Sequence, residues 1–586
     1  MLERQPDPVR RHNHCIPADL EAIVMCCLEK QPQHRYASAH ELAQDLQRYL
    51  DGEPVWARRP SLVSQCRRAI RRHPIVSSIV ASSTLALIVT IVGLQLLARR
   101  ELNARVSQLV AQAREASGRA DASAARARDL SEDAARMFSA GHRDAGETSW
   151  RAALGARSEA NRGFGEAGQS LEAAIAVDPG RSDVRALFGD LLLSRVLVAE
   201  QDHRTAERDD LVRRLALYDE GGKRLGSLQQ PTHLSVEVVP PSASRAIERY
   251  VEDARNQMRL EPAGPASQSS FDDLELPPGS YLVTLSGDGL ATVHYPVVLG
   301  RGEFVRVSVT LPSAVAIPEG FVYVPPGRFL FGTSVEETYR SILGAPPLHE
   351  ESTDGYLIGK REVTVAEFVE YLGSLPVPER VLISEHSSSQ MLTVLREVSP
   401  RVWQYRFDFA TPRGYAARTG EKFRYGLRRS NALQDWTRFP IIGLSANDAE
   451  AYVAWLSRAR LPGARLCAEK EWERAARGAD AREYPHGGRL YPDDANFADT
   501  YQDKIDIGPD EVGLHPASRS PFGLDDMVGN AWEYTRSSLS GDRYVVRGGS
   551  FSYNATQNRL TVRSGITPSY RGPAHGLRVC APSPVR

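Results

Sequence analysis

The sequence predicts a multidomain chain that crosses a membrane once and ends in an α+β domain poor in regular secondary structure. Three observations carry this. Its 586 residues exceed what one hydrophobic core encloses. From Ile75 to Ala98 the chain runs 24 residues without a formal charge. Beyond Leu234 the apolar spacing changes from helical to every second residue. The expected order is a helical segment over 1–50, a basic juxtamembrane stretch over 51–73 and a transmembrane helix over 74–98. A helical stalk over 99–225, a β-sandwich-like spacer over 231–312 and a terminal domain over 319–581 follow.

Residues 16 to 50 read as two amphipathic helices. The first begins after Pro17 and ends before Pro32, and the second starts near Ser38, with Glu41 three residues later as a capping box. The phrases Ile16-Pro17-Ala18-Asp19-Leu20, Cys27-Leu28-Glu29-Lys30-Gln31-Pro32 and Arg35-Tyr36-Ala37-Ser38 resemble the final helices of a bacterial serine/threonine kinase C-lobe. The resemblance implies that Arg35 pairs with a glutamate at the end of an activation segment. Met1 falls after where that glutamate belongs, so a truncated gene or a misplaced start is expected. The glycine-rich loop, the Val-Ala-Ile-Lys strand and the Asp-Phe-Gly magnesium site are missing from this chain, so no kinase activity is expected of it alone. His142-Arg143-Asp144 matches the start of a kinase catalytic loop, but it lies beyond the apolar span and is read as chance.

The uncharged stretch is long enough for a bilayer of roughly 30 Å at about 1.5 Å per residue. A buried core helix or a signal peptide passes a similar test. Arg58, Arg59, Arg67, Arg68, Arg71 and Arg72 precede it, whereas Arg99, Arg100 and Arg105 follow. That excess predicts a single-pass inner-membrane protein with its N-terminus cytoplasmic and its later domains outside. The lipid bilayer is therefore an expected partner. A net charge of −1 gives no global electrostatic case for nucleic acid. Cys15, Cys26, Cys27 and Cys66 fall on the cytoplasmic side without metal-ligand spacing. Cys467 and Cys580 fall outside, where an isolated pair suggests one disulfide, with two free thiols as the alternative.

Residues 99 to about 215 are rich in Ala, Arg, Glu and Asp, which favours long helices. Ser170 to Pro179 and the helix after Ser182 resemble one tetratricopeptide-like hairpin, and a homodimer through stalk and membrane helix is expected. Leu234–Val238, Tyr281–Leu285 and Phe304–Val309 alternate apolar and polar as half-buried strands do. Leu276-Pro277-Pro278-Gly279-Ser280-Tyr281 resembles PEGA-type β modules, for which residues 241–275 are an unusually long insertion. A spacer role is expected.

In the terminal region, Thr364/Glu367 and Ser445/Asp448 are two capping boxes, and a short helix holds Glu469 to Ala476. Beyond Gly478 the chain is loop-rich and needs anchors, because ordering backbone costs roughly 1–2 kcal/mol per residue. Carboxylates and carbonyls spaced through turns suit calcium, which takes several oxygens in flexible geometry. Asp526, Gly529, Ala531 and Glu533 alternate in this way, unless they form only a solvated acidic loop.

An ordered ladder runs through Arg465-Leu466-Cys467-Ala468-Glu469, Glu471-Trp472-Glu473, Val528-Gly529-Asn530-Ala531-Trp532-Glu533, Arg547-Gly548-Gly549-Ser550 and Gly576-Leu577-Arg578-Val579-Cys580. It resembles the formylglycine-generating enzyme, or sulfatase-modifying factor, family over residues 319 to about 581. The resemblance implies a variant C-type-lectin-like fold. It also implies calcium held by the side chains of Asp526 and Glu533 and the carbonyls of Gly529 and Ala531. A second calcium would use Asn496, the carbonyl of Phe497 and Asp506, with Asp503 as the alternative aspartate. It supports pairing Cys580 with the central helical region, Cys580 being the firmer half. The family's oxidases need a thiolate pair that binds copper. Tyr553 and Asn558 stand at those two positions, and no cysteine lies between Cys467 and Cys580. Iron-dependent sulfoxide synthases of this fold need a three-histidine face that is not seen. The expectation is a catalytically silent domain whose cleft, near Trp532, Ser550, Tyr553 and Arg563, binds an extracytoplasmic peptide or small ligand. Calcium is the expected cofactor and copper is not. A formylglycine-type oxidase or divergent oxygenase, and a purely structural envelope protein, are the rivals.

Overall fold

A computed structural model describes residues 6–58, 74–264, 271–387, 391–409, 414–501, 506–538 and 541–585. The chain forms two compact units, one up to Ser107 and one from Gln108 onward.

In the first unit, helices Ala18–Cys27 and Ala39–Leu50 match the predicted pair. Ser38 caps the second helix by accepting from Glu41 N at 3.2 Å. The Glu41 carboxylate accepts from Ala37 N, one residue earlier than a closed capping box requires. Asp45 is fully buried and takes the Tyr36 hydroxyl and the backbone N–H groups of Trp56 and Ala57, so it ties the returning chain to the helix. Arg35 donates to the carbonyl of Glu29 at 2.6 Å. The flanking residues Arg59, Arg67, Arg68, Arg71 and Arg72, with Cys66, lie outside the described residues. Helix Pro74–Ser139 follows. From Ser78 it is long and apolar enough to cross a membrane, and none of its most apolar window is buried. That exposure separates it from the core helix of a soluble protein.

In the second unit, helices Arg143–Val177, Ser182–Gln201 and Thr205–Leu215 pack with the distal part of Pro74–Ser139. The contact is an alanine face: Ala113, Ala116, Ala120, Ala153, Ala156 and Ala160 are buried. A Cβ on Gly163 would come within 2.9 Å of Ala120 Cβ, so the helices approach more closely than a larger residue permits. These helices are pinned to the terminal domain. Arg340 makes two hydrogen bonds to Glu147, at 2.7 and 3.0 Å, and Trp150 donates to Glu337 at 3.0 Å.

The β module has two sheets. Thr232–Val239 lies between Phe271–Leu276, antiparallel, and Phe304–Thr310, parallel. Ser244–Glu252 and Gly279–Ser286 form the middle of the other, flanked by Met258–Pro262 and Val293–Leu299, all antiparallel. Leu234, Val236, Val238, Tyr281, Val283 and Val307 are buried in the core cluster, as alternation requires. Residues 241–275, read from sequence as an insertion, instead supply strands to both sheets. The module is also docked. Gln257 donates to Asp494 at 2.9 Å, Ser280 to Asp480 at 2.6 Å, and Arg482 lies over the Tyr250 ring at 4.2 Å.

The terminal domain is built on a sheet of order Arg465–Leu466, Val579–Pro582, Tyr356–Gly359, Phe321–Val324, and a second of order Ser564–Ile566, Tyr544–Arg547, Trp532–Ser538, His575–Leu577. Both predicted capping boxes are present, opening helices Val365–Gly373 and Ala446–Ala459. A four-stranded antiparallel insertion spans Glu385–Ser387 to Tyr415–Arg418. Among the described residues, 478–531 contains one short 3-10 turn, Pro516–Ser518, and no longer helix or strand.

Candidate functional site

The motif ladder converges behind helix Glu469–Arg477, whose side chains point into the domain. Arg547 pairs with Glu469 at 3.0 Å and with Glu473, and Arg477 joins Glu473 at 3.0 Å. Glu533 takes the indole N–H of Trp472 at 2.6 Å and the guanidinium of Arg578 at 2.7 Å. These groups are almost wholly buried, so the charges are tolerable only because each is paired. Cys467 and Cys580 form a disulfide across a sequence separation of 113. It joins the short strand Arg465–Leu466 to Val579–Pro582 where the two already hydrogen-bond. The domain's two cysteines are thereby both consumed.

The structure brings together three of the four residues expected to line a cleft. Trp532 and Tyr553 meet edge to face at 5.5 Å between centroids. Tyr553 N donates to the Ser550 carbonyl at 3.1 Å. Ser550 Oγ lies 3.0 Å from Ser552 Oγ and accepts from Ser552 N at 3.4 Å. Arg563 is placed elsewhere, donating to Glu469 at 2.6 Å in the buried charge cluster. Asn558 is fully buried and its amide nitrogen donates to the carbonyls of Tyr553 and Asn554, at 2.8 and 2.9 Å. A Cβ on Gly549, which has φ of +75°, would meet Asn558 Oδ1 at 2.0 Å. The second glycine of Arg547-Gly548-Gly549-Ser550 is thus required by the side chain of Asn558.

His575 completes this aromatic group, stacked on Trp532 at 6.4 Å and tilted against Tyr534 at 5.7 Å. Burial pushes its imidazole down to about 4, so it is neutral at physiological pH. Sequence reading missed it, although it sits directly before Gly576-Leu577-Arg578. The unit's large cavity, about 960 Å³, lies away from these residues. It is walled by Leu154, Arg157, Arg204, Val335 and Leu348, between the helices and the terminal domain.

Two loops were expected to hold cations. Asp526, Gly529 and Asn530 all take positive φ. Gly529 is obligatory, since a Cβ there would meet the Asn496 carbonyl at 2.3 Å. Asp526 Oδ2 accepts from Gly513 N at 2.5 Å. Glu533, the other expected side-chain ligand, already has both oxygens bonded to Arg578. Nearby Glu362, missed in the sequence, is fully buried with neither carboxylate oxygen hydrogen-bonded. Burial and the charge of Asp526 hold Glu362 well above the usual carboxylate range, and burial pushes Asp526 up to about 6. Three carboxylates, Glu362, Asp526 and Glu533, therefore face the single guanidinium of Arg578. Hard oxygens crowded together, those of Glu362 without a hydrogen bond, fit a calcium ion in chemical type. Among the described residues no three His, Cys, Asp or Glu side chains are placed to hold a metal by themselves, so a cation here must also draw on carbonyls.

The other loop differs. Phe497 O accepts from Thr500 N at 3.0 Å. Asn496 turns its amide nitrogen to the Gly508 carbonyl, at 2.9 Å, and to Asn530 Oδ1. Asp506 Oδ2 accepts from the backbone N–H groups of Leu427 and Arg428. Asp503, the alternative aspartate, lies outside the described residues.

Residues 308–582 match the family described as Sulfatase-modifying factor enzyme 1-like domain. The Inactive C-alpha-formylglycine-generating enzyme 2 of Mus musculus is 30% identical over 287 residues, covering 45% of this chain and 86% of that protein. The Formylglycine-generating enzyme of Mycobacterium tuberculosis is 28% identical over 37% of this chain and 74% of its own length. The Hercynine oxygenase of Mycolicibacterium smegmatis is 28% identical over 46% of this chain and 62% of its own length. Relatives named as inactive, as formylglycine-generating and as an oxygenase thus each match 37% to 46% of this chain. Through that terminal domain, this chain belongs to the sulfatase-modifying factor enzyme 1-like family.

Proposed function

We propose that this chain is a membrane-anchored signalling protein, derived from a receptor-like kinase, whose terminal domain is a catalytically silent binding module outside the cell. The observation that carries the reading is the loss of thiol chemistry. Tyr553 and Asn558 stand where counting from Gly549-Ser550 places the cysteine pair, and the domain's two cysteines are joined to each other. A thiolate is the required copper ligand and sulfur-exchange partner, and neither a phenol nor a carboxamide substitutes for it. Similarity to an enzyme named inactive is consistent with that loss.

The unburied apolar helix from Ser78 supports the anchor, and the excess of arginine before it supports a cytoplasmic N-terminus. The two helices before it, with Arg35, are offered as the kinase-derived part. The aromatic surface around Trp532 and Tyr553 is the proposed contact for a peptide or small ligand. Calcium would be held by Asp526 and Glu362 with the carbonyls of Gly529 and Ala531. It would supply positive charge that fixes the loop, without taking part in chemistry.

The test is aerobic incubation of the purified full chain with copper(I) and a cysteine-containing peptide. The expected result is no copper-dependent conversion of the cysteine to an aldehyde, read as a mass loss. Conversion above a protein-free control would sink the reading and favour the oxidase.

A further inference from the structure

Residues 496–501 and 506–510 already surround a cation. Arg428 comes from a segment about seventy residues earlier, and its side chain is completely inaccessible. Its Nε donates to the Asp506 carbonyl at 2.9 Å, Nη2 to the Gly508 carbonyl at 3.0 Å, and Nη1 to Asp510 Oδ1 at 2.5 Å. The guanidinium carbon lies 3.4 Å from the Tyr425 ring centre and 3.9 Å from that of Tyr501. Every hydrogen-bond acceptor around it is an oxygen, the donor type that calcium also selects.

We propose that Arg428 is the resident cation of this loop and takes the place of the divalent ion expected from Asn496, Phe497 and Asp506. Three observations support the substitution. The cage oxygens that face Arg428 are filled, with Gly508 O bonded by both Arg428 and Asn496. The assigned orientation of Asn496 presents nitrogen there, whereas a metal ligand must present oxygen. Asp510 is also already occupied on both oxygens, Oδ1 by Arg428 and Oδ2 by His515, whose Nε2 lies 2.9 Å away. A divalent ion would have to share these oxygens with a guanidinium that already carries a positive charge. The planar guanidinium suits the position because it serves three divergent acceptors and stacks between two aromatic rings at once.

The consequence is a hidden metal site. Without the guanidinium, the carbonyls of Asp506 and Gly508 and the carboxylate of Asp510 are left converging. Asp506 Oδ1, which has no hydrogen-bond partner, adds a further oxygen. The test is calcium stoichiometry on the full chain in detergent, by equilibrium dialysis. In the wild type, Asp506→Asn leaves the stoichiometry unchanged, whereas Asp526→Asn removes whatever calcium the other loop binds. The two readings therefore fail separately. Arg428→Ala is expected to bind one more calcium than wild type and to recover part of its lost thermal midpoint in millimolar calcium. Arg428→Lys keeps the positive charge, and is expected to fold without gaining calcium. Wild-type calcium lost on Asp506→Asn overturns the proposal. So does an Arg428→Ala protein that folds and gains none, or an Arg428→Lys protein that gains one. If Arg428→Ala fails to fold, the wild-type and lysine results decide the matter.

Discussion

His575 shows how a single residue can report on the buried aromatic group. Its imidazole is neutral in the folded chain because burial holds it near 4, while an unfolded histidine titrates near 6.5. The unfolded state therefore binds the proton first as pH falls. This histidine's contribution is fully present above about pH 6.5 and is lost as pH drops toward 4, at a total of about 3 kcal/mol. Denaturant unfolding across that window should show a decline that His575→Gln flattens, and equal slopes in both proteins would refute the assignment. At the same scale, the sequence revealed the absence of thiols but not what replaces their function. Tyr553 and Asn558 could be located by counting from Gly549, but the tie between Asn558 and the Tyr553 carbonyl is invisible without the fold. Glu362 and Arg428 were also missed, because their partners lie far along the chain and neither carries a local motif.

At the level of elements, signals confined to one turn or strand were legible. The boxes Thr364/Glu367 and Ser445/Asp448 form as read, and the alternation in 232–239 and 304–310 is the alternation of burial. Strand Met258–Pro262 was not legible, because it is mostly exposed at a sheet edge and has no apolar rhythm. The packing of the helices was hidden for a different reason. Alanine and glycine give little hydrophobic signal, and here their value is closeness rather than area. Gly163 is the sharpest case, with Ala120 Cβ and the Ala116 carbonyl within 3.1 Å of where a Cβ would stand. Gly163→Val should cost about 1–3 kcal/mol by overpacking, despite its higher apolarity. Thermal unfolding would check this, and an unchanged midpoint would mean that the helices are free to separate.

At the scale of the molecule, the helices, β module and terminal domain form one interlocked unit rather than beads on a stalk. Arg340 is the joint, 3% exposed and held by Glu147 from the helices and Glu337 from its own turn. Arg340→Ala leaves acidic groups without their cation, and should cost about 3–5 kcal/mol. Hydrogen exchange should rise in 143–177 while the sheets of the β module stay protected. A uniform rise would instead indicate global unfolding. The disulfide has a consequence of another kind, in the order of biosynthesis. Cys467 leaves the ribosome long before its partner, and the strand it must join is completed only when residues 579–582 have been made. Every loop between them must therefore be made before the ring is sealed. Until then Cys467 is the domain's only thiol, with no correct partner inside the domain and none available for premature closure.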